Sequence, residues 1–238
     1  MPGADRPSTP SRLAQSARRA LARGWFWGAD YRYAMRAQGR GLLARQVPDA
    51  YARGDLPPVV LIAGVLEPWT LLRPAADRLN AAGHPVHVIP ELAYNVITVA
   101  EASELALGVL AARGLRDVVL VAHSKGGLIG KHMLAADAER RIRHLIALAT
   151  PFGGSTLARL IPSPTIRALR PDDATIVDLA SRGELNERIT SIYPAFDPHI
   201  PGGSRLEGAT NVEVAAMGHF RVLSDPEVLD AVVAAAAR

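Results

Sequence analysis

Ser124 is the residue of this sequence whose neighbours best suit it to nucleophilic chemistry. It follows an apolar, strand-forming run at 118–122, and Gly126 and Gly127 come just after it, before a helix-forming stretch. This order predicts a sharp turn between a buried strand and a helix, which lifts the hydroxyl above the sheet. The pattern fits G-x-S-x-G with alanine at the first position, and alanine is small enough for such a turn. An ordinary Ser-Gly turn after a buried strand is the alternative.

A serine hydroxyl is a weak nucleophile near neutral pH, so it needs a base, and the base needs an orienting acceptor. Asp197 follows a predicted strand at 189–193, and His219 follows another at 211–216. The carboxyl ends of parallel strands share one edge of a sheet, so Ser124, Asp197 and His219 are expected to meet there. We predict that the serine attacks an acyl carbonyl, that the histidine carries the proton, and that the aspartate fixes the imidazole tautomer.

Other acids and histidines are weaker candidates for these roles. Asp225 begins the last predicted helix, where aspartate often caps, and His219 has a structural alternative as a hydrogen-bonded core histidine. His123, beside the serine on the turn, is expected to point away from it and pack. The remaining candidates are three aspartates expected to be solvated and five histidines without metal-ligand spacing: Asp172, Asp173, Asp178, His84, His87, His132, His144 and His199. No metal site is predicted.

An acyl-transfer site also needs two backbone amides for the oxyanion. The Lys125 N–H, at the start of the predicted helix, supplies one of them. The other is expected from the loop after the first parallel strand, where Gly64 permits a tight approach and Val65 N–H is preferred over Leu66 N–H. We assign Leu66 and Trp69 to the substrate pocket, and a core position on a helix face is an equally good interpretation of Trp69.

Strands and helices alternate from Pro57 onward, which predicts an α/β fold with a mainly parallel sheet covered by helices on both faces. Apolar runs bounded by turn residues predict the strands, and helical spacing predicts the helices between them. The predicted strands are 59–62, 86–89, 117–122, 144–149, 189–193 and 211–216, and the predicted helices are 68–82 (broken near Pro74), 100–113, 126–136 and 226–237.

Residues 151–187 interrupt this alternation with a glycine-containing loop and short apolar stretches. An insertion between strands above the serine is well placed to form a lid or an acyl pocket. Ordinary connecting helices are an equally good interpretation.

Bulk composition places the chain among single-domain globular proteins. Of its 238 residues, 49% are hydrophobic and 21% are charged. Cysteine is absent, which excludes disulfides and a cysteine nucleophile and is compatible with a reducing compartment. Neither an apolar run long enough to span a membrane nor a secretory signal is apparent. We therefore expect a cytoplasmic protein that could also associate with a membrane surface.

The N-terminal segment, residues 1–54, differs from the body at 55–238. It holds ten arginines and three aspartates, a net charge of +7, whereas the body has 17 basic and 20 acidic residues. A predicted helix at 11–23 precedes a cluster of aromatic residues, so residues 11–33 could contact an anionic membrane surface. We favour packing of these aromatic rings across the body. No recognition motif accompanies the arginines, so nucleic acid is not an expected partner.

The motifs together resemble those of α/β-hydrolases, and among these the small bacterial lipases and carboxylesterases. The resemblance runs from about Pro57 to the C-terminus and rests on A-H-S-K-G-G around Ser124, T-P-F-G-G-S from Thr150, and the loops carrying Asp197 and Gly218-His219. It implies carboxylic-ester hydrolysis through an acyl-enzyme without a cofactor. Two positions depart from the family pattern: Ala63 replaces the histidine of an H-G pair, and Phe152 replaces the histidine of T-P-H. Because Phe152 takes the place of that histidine, we assign it to the substrate pocket.

The expected activity is therefore that of an esterase or lipase on small-molecule or lipid esters with apolar acyl chains. An acyltransferase would use the same three side chains with a different final nucleophile. A non-catalytic membrane-surface module on the same fold is the alternative from another class, since a fold does not fix a function. The sequence leaves the acyl length, the alcohol group and the oligomeric state open.

Overall fold

The computed structural model describes residues 28–39 and 46–238, and its centre is a six-stranded sheet. Each strand reads as a mainly apolar run, because a sheet that is covered on both faces buries both sets of alternating side chains. The strands are β1 (Val59–Ile62), β2 (Val86–Val88), β3 (Val118–His123), β4 (Ile142–Leu148), β5 (Ile189–Phe196) and β6 (Thr210–Met217).

All neighbouring strands pair in parallel, in the order β2-β1-β3-β4-β5-β6. The order reverses at β1 and β3, and the crevice at such a switch point opens at the carboxyl ends of the strands. The mainly parallel, doubly covered sheet expected from the sequence is confirmed. It brings the ends of β1, β3, β5 and β6 to a single edge, where the candidate residues lie.

Helices cover both faces of the sheet, and each face has its own apolar core. On one face Ala106 and Ile129 pack with Leu120, and on the other Leu79 and Val232 pack with Val121. Across residues 28–39 and 46–238, no helix has the length and apolar character needed to cross a bilayer. The helices are α1 (28–39), α2 (Arg73–Ala81), α3 (Val99–Ala112), α4 (Lys125–Ala136), α5 (Pro164–Arg167), α6 (Ala174–Ser181) and α7 (Pro226–Ala236).

The helical segment predicted at 68–82 is interrupted next to Pro74, as expected. A short 3-10 helix, Trp69–Leu72, ends where α2 begins, and Pro74 lies in the first turn of α2. Proline is tolerated there because the first-turn N–H groups have no intrahelical acceptor, and its fixed φ suits the helix. Asp225 caps α7 as expected, accepting a hydrogen bond from Glu227 N–H.

Residues 151–187 divide into two parts with different roles. Residues 155–169, here called the cap segment, leave the sheet and return, and Ser155 N–H donates to Leu169 O to close its ends (2.7 Å). Helix α6 instead packs into the core through Ile176 and Leu179, as an ordinary connecting helix does. The pocket-forming interpretation thus concerns the cap segment and Pro151, and not α6.

Helix α1 lies against the body, since Tyr33 and Ala37 pack on the core and Asp30 is wholly buried. The helix predicted at 11–23 and the aromatic residues at 25–27 lie outside the described residues. Of the aromatic residues predicted to pack, Tyr33 packs on the core, whereas Tyr31 is 45% exposed.

Candidate active site

Ser124 occupies the sharp turn between β3 and α4. Its backbone has φ 52° and ψ −122°, a conformation that costs a non-glycine residue about 1–3 kcal/mol and persists only where the surroundings enforce it. The turn also requires Gly126, because a Cβ there would lie 2.2 Å from Ile62 O at the end of β1. The close approach of strand and helix fixes the serine above the sheet edge.

Ser124, His219 and Asp197 form one continuous line of hydrogen bonds. Nε2 of His219 lies 3.0 Å from Ser124 Oγ, and Nδ1 lies 2.7 Å from Asp197 Oδ2. A carboxylate accepts hydrogen bonds, so Nδ1 carries the proton and donates it to Asp197. This leaves the Nε2 lone pair to accept from the serine hydroxyl, which is the tautomer that a general base needs.

Acidic groups set the charge balance around His219. Burial alone would lower the pKa of His219, but Asp197, and beyond it Glu67 and Asp30, raise that pKa above the ordinary value. Burial pushes the pKa of Asp197 upward, but its interactions with His219 and with the His199 amide bring it below the usual value. The acid therefore stays ionised beside an imidazole that is more basic than a free one.

The loop after β5 holds Asp197 through its own backbone. Oδ1 of Asp197 accepts from the amides of His199 (2.7 Å) and Ile200 (3.2 Å), which leaves Oδ2 for His219. His199, which the sequence suggested to be a structural or surface residue, lies beside the site: its ring centroid is 4.8 Å from that of His219. An aspartate followed by proline and a residue whose amide returns to the carboxylate is a local turn signal that could have indicated this.

His123 and Glu67 form a buried pair behind the site. His123 Nε2 donates to the carbonyl of His219 (3.0 Å), and Nδ1 lies 2.7 Å from Glu67 Oε2. The same Glu67 oxygen accepts from Gly64 N–H at 2.8 Å. His123 points away from the serine as expected, and it also connects the loop after β1 with the turn that carries His219. The role of Glu67 was missed, although a carboxylate three residues after a loop glycine is a recognisable anchor.

Two backbone amides are available for an oxyanion beside Ser124. Lys125 N–H begins α4, where the first amides have no intrahelical acceptor. In the described part of the chain no hydrogen bond engages Val65 N–H, whereas Leu66 N–H donates to Tyr94 O at 2.7 Å. Leu66 N–H is thus already engaged, and Val65 N–H remains the predicted second donor.

The Lys125 side chain extends away from the nucleophile into the protein. Its Nζ donates to the carbonyl oxygens of Asn95 (2.9 Å) and Ile97. Burial lowers the pKa of Lys125 to about 8, with a smaller opposing effect of Glu101. The ammonium group holds the loop at 95–97 in place, and Asn95 in turn donates to Ala63 O at 2.7 Å.

An apolar pocket of about 470 Å³ opens above Ser124. Three parts of the chain form its walls: α1, the loop after β1, and the cap segment. The lining includes Tyr31, Met35, Leu66, Leu157, Ile161 and Ile166. Leu66 therefore borders the pocket, as the sequence analysis assigned it.

Trp69 and Phe152 lie outside this pocket, so their assignment to it is corrected. Trp69 packs edge-on against Tyr51, with ring centroids 6.3 Å apart. Phe152 is buried in the core on the α3–α4 face, whereas its neighbour Pro151 lines the pocket. Adjacent residues in an irregular segment point in different directions, so the position of the loop did not determine that of the side chain.

Within residues 28–39 and 46–238, two groups of buried or half-buried side chains have the composition of metal sites. They are Glu67, His123 and His219, and Asp197, His199 and His219. Both groups depend on His219, whose two ring nitrogens already bond to Asp197 and Ser124. A metal ion at either place would have to replace these bonds, and we assign none.

Comparison with known proteins gives structural similarity and little sequence similarity. No protein-family model and no curated relative matches the chain. Among solved structures, Aspergillus fumigatus lipase B aligns with a TM-score of 0.66 at 18% identity, over 81% of this chain but only 56% of that one. Bacillus licheniformis lipase BlEst2 aligns with a TM-score of 0.54 at 18% identity, covering 75% of this chain and 89% of its own. Paleococcus ferrophilus monoacylglycerol lipase aligns with a TM-score of 0.52 at 17% identity, covering 77% and 98%.

Proposed function

On the α/β-hydrolase fold that this chain adopts, we propose a serine hydrolase that cleaves carboxylic esters of apolar acyl chains through an acyl-enzyme. The observation that carries the proposal is the line of hydrogen bonds from Asp197 through His219 to Ser124, at the floor of an apolar pocket. Buried aspartate, histidine and serine in this order are the components of nucleophilic acyl transfer.

The reaction follows from the positions of the protons. Ser124 Oγ attacks the ester carbonyl carbon while its proton passes to Nε2 of His219, and the oxyanion accepts from the amides of Val65 and Lys125. The intermediate collapses, the C–O bond to the alcohol breaks, and the alcohol leaves with the proton from His219. Water then attacks the acyl-enzyme, gives a proton to His219, and releases the carboxylic acid as the serine recovers its proton.

The pocket supports an apolar acyl group as the recognised part of the substrate. Its walls near Ser124 carry the aliphatic side chains of Val65, Leu157, Ile166 and Leu169. Each CH₂ group that moves from water into such surroundings contributes about 0.8 kcal/mol. A panel of p-nitrophenyl esters of increasing acyl length is expected to show kcat/KM rising until the pocket is filled.

Covalent labelling tests the assignment of the nucleophile. A fluorophosphonate probe is expected to label the wild-type chain and to lose all labelling in Ser124→Ala. The matched control is Ser181→Ala, because Ser181 lies on α6 and donates only to Asp178 O. Unlabelled wild-type protein, or unchanged labelling of Ser124→Ala, would refute the proposal.

A lipid surface is favoured as a partner by the exposed apolar rim of the pocket. Of the residues lining the pocket, Met35 is 70% exposed, Leu66 56% and Ile161 47%, and Leu160, the chain neighbour of Ile161, is 77% exposed. A contiguous exposed apolar patch of this kind marks an interaction surface. Arg32 and Arg36 lie exposed on α1 next to Met35. Apolar side chains flanked by arginines suit insertion at an anionic membrane interface.

Vesicle sedimentation tests this second proposal. The full chain is expected to sediment with phosphatidylglycerol vesicles at low salt and to be released by salt. Leu160→Asp combined with Met35→Asp is expected to abolish sedimentation. Val177→Asp, an equally polar change at an exposed site on α6, is expected to leave it unchanged. The membrane proposal would be refuted if both variants sedimented equally, or if the wild-type chain did not sediment. The esterase proposal would be unaffected by either result.

A further inference from the structure

Asp30, on α1, accepts hydrogen bonds from the turn that carries His219. Its side chain is wholly buried and accepts from three consecutive backbone amides: His219 (2.9 Å), Phe220 (3.0 Å) and Arg221 (2.9 Å). A short 3-10 helix, Arg221–Ser224, begins here, and it has no side-chain cap of its own. A carboxylate from about 190 residues earlier in the chain therefore supplies the cap.

Gly218 gives a second, independent indication that this turn is shaped around Asp30. A Cβ at position 218 would lie 2.6 Å from Asp30 Oδ1, and the φ of Gly218 is 107°, where side chains are strained. Gly218 N–H donates to Phe196 O at 2.9 Å, which joins the turn to the end of β5. Because glycine has no side chain and tolerates this φ, the turn can lie directly against the carboxylate of Asp30.

The charge of Asp30 is balanced by amides. In residues 28–39 and 46–238, its nearest ionisable partner is His199, with Nδ1 3.9 Å from Oδ2, and no lysine or arginine forms an ion pair with it. The other ionisable groups facing His219 are Asp197, Glu67 and His123. The negative charge of Asp30 therefore adds to the field that favours a protonated His219.

We propose that α1 is an integral part of the active site, with Asp30 as the positioning residue that fixes the backbone of His219 and stabilises its imidazolium form. His123 holds the carbonyl of His219 from one side and Asp30 holds its N–H from the other, so the ring is aligned before substrate binds. The effect of Asp30 on catalysis rests on the proposed function, whereas its hydrogen bonds to the His219 turn do not depend on that function.

The variant Asp30→Asn tests the role with little change in shape. The asparagine oxygen can still accept from Phe220 and Arg221, but its NH₂ group then faces the N–H of His219, and the negative charge is lost. We expect kcat for a short ester to fall about ten- to a hundredfold with KM nearly unchanged. The acid limb of kcat/KM is expected to move to lower pH, because the pKa of His219 falls when a nearby carboxylate is neutralised.

Asp137→Asn is the matched control. Asp137 also accepts two backbone amides, from Arg141 (2.9 Å) and Ile142 (2.8 Å), but it lies at the opposite end of the sheet from Ser124. We expect it to lower the melting temperature without moving the pH profile. A pH profile of Asp30→Asn that coincides with the wild type, whatever its stability, would overturn the positioning role.

Nuclear magnetic resonance separates this inference from the proposed function. In Ser124→Ala protein, where no turnover occurs, the His219 ring is titrated with and without Asp30→Asn. A shift of its pKa to lower values by about half a pH unit supports the inference even if the wild type proves inactive on esters. An unchanged His219 titration overturns it even if the wild type is an efficient esterase.

Hydrogen exchange on the wild type provides a test that needs no variant, in case Asp30→Asn does not fold. The amide of His219 is buried, those of Phe220 and Arg221 are part-buried, and all three donate to Asp30. They are therefore expected to exchange much more slowly than loop amides without a partner. Slow exchange at all three positions supports the docking of α1. Fast exchange at all three would show that α1 does not hold the turn, and the proposal would fail.

Discussion

The floor and the walls of the candidate site are built on different physical principles. At the floor, Ser124, Asp197 and His219 are buried, and each has hydrogen-bond partners at 3.2 Å or less. The walls, by contrast, carry aliphatic side chains such as Met35 and Ile161 that remain largely exposed. Hydrogen bonds in a dry environment fix geometry, whereas an exposed apolar surface gains its stabilisation only when a ligand covers it.

The two regions also derive from different parts of the chain. The floor consists of strand ends and the first turn of α4, which the sheet core holds rigidly. The walls come from α1, the loop after β1 and the cap segment, and α1 contributes to the floor only through Asp30. We therefore expect changes at the floor to act on kcat, and changes in the walls to act on KM and on the preferred acyl length.

The largest effect that would sharpen this comparison is expected from Asp197→Asn. The asparagine oxygen is needed by the amides of His199 and Ile200, so its NH₂ would face Nδ1 of His219. The imidazole would then lose its working tautomer, and kcat would fall about 10⁴-fold. Steady-state hydrolysis of p-nitrophenyl acetate measures this. Asp173→Asn is the control, because Asp173 caps α6 away from the site and asparagine caps equally well. A kcat for Asp197→Asn within tenfold of the wild type would identify another acid as the partner.

Glu67→Gln is expected to have a smaller effect, also at the floor. The Nε2–H of His123 donates to the carbonyl of His219, so Nδ1 of a neutral His123 can only accept a hydrogen bond. The same Glu67 oxygen bonds to His123 Nδ1 and to Gly64 N–H. In Glu67→Gln, a side-chain NH₂ placed to donate to Nδ1 would therefore face the N–H of Gly64. We expect the loop after β1 to loosen and kcat to fall about ten- to a hundredfold. This loss is no larger than the loss of activity that follows removal of one oxyanion donor.

The control for Glu67→Gln is Glu101→Gln, since Glu101 forms the capping box of α3 and glutamine can replace it there. Both variants are assayed with the same short ester. If Glu67→Gln changed KM for long esters and left kcat intact, Glu67 would belong functionally to the walls and the division drawn above would be wrong.

The pH dependence of the wild type follows from the raised pKa of His219. The imidazole must be neutral to accept the serine proton, so kcat/KM falls as the pH decreases through its pKa. Since that pKa lies above 6.5, the acid limb should lie above 6.5 too, and activity at pH 5.5 should be at least about tenfold below the plateau. A profile that stays flat down to pH 5.5 would argue against His219 as the base.

The comparison between floor and walls also explains what the sequence could predict. The turn at Ser124 was predictable because an apolar strand, a serine and two glycines lie together in sequence, and the order of strand ends added Asp197 and His219. Asp30 could not be found in this way, because its contacts span about 190 residues and nothing near it marks a partner. Specific tertiary contacts of this kind leave no local pattern.

Side-chain direction in irregular segments was the other limit. Phe152 and Pro151 are neighbours, and only Pro151 borders the pocket, because no regular period relates successive side chains in a loop. The wall residues Met35 and Ile161 lie in segments whose position relative to the sheet depends on how α1 and the cap segment pack. The chemistry was therefore easier to predict than the shape of the pocket.

The smallest expected effect is in the walls, where Ile161→Ala tests whether they act only on acyl recognition. The change removes three CH₂-sized groups from a side chain that is 47% exposed, so about half of their transfer free energy, roughly 1 kcal/mol, is at stake. That corresponds to about a fivefold rise in KM for a long-chain ester. For p-nitrophenyl acetate, whose acyl group is too short to reach Ile161, kcat and KM should stay at wild-type values. Val177→Ala, an equally exposed aliphatic site on α6, should change neither ester. An equal loss on short and long esters would mean that the cap segment also positions the floor, and the two regions would then have to be treated as one.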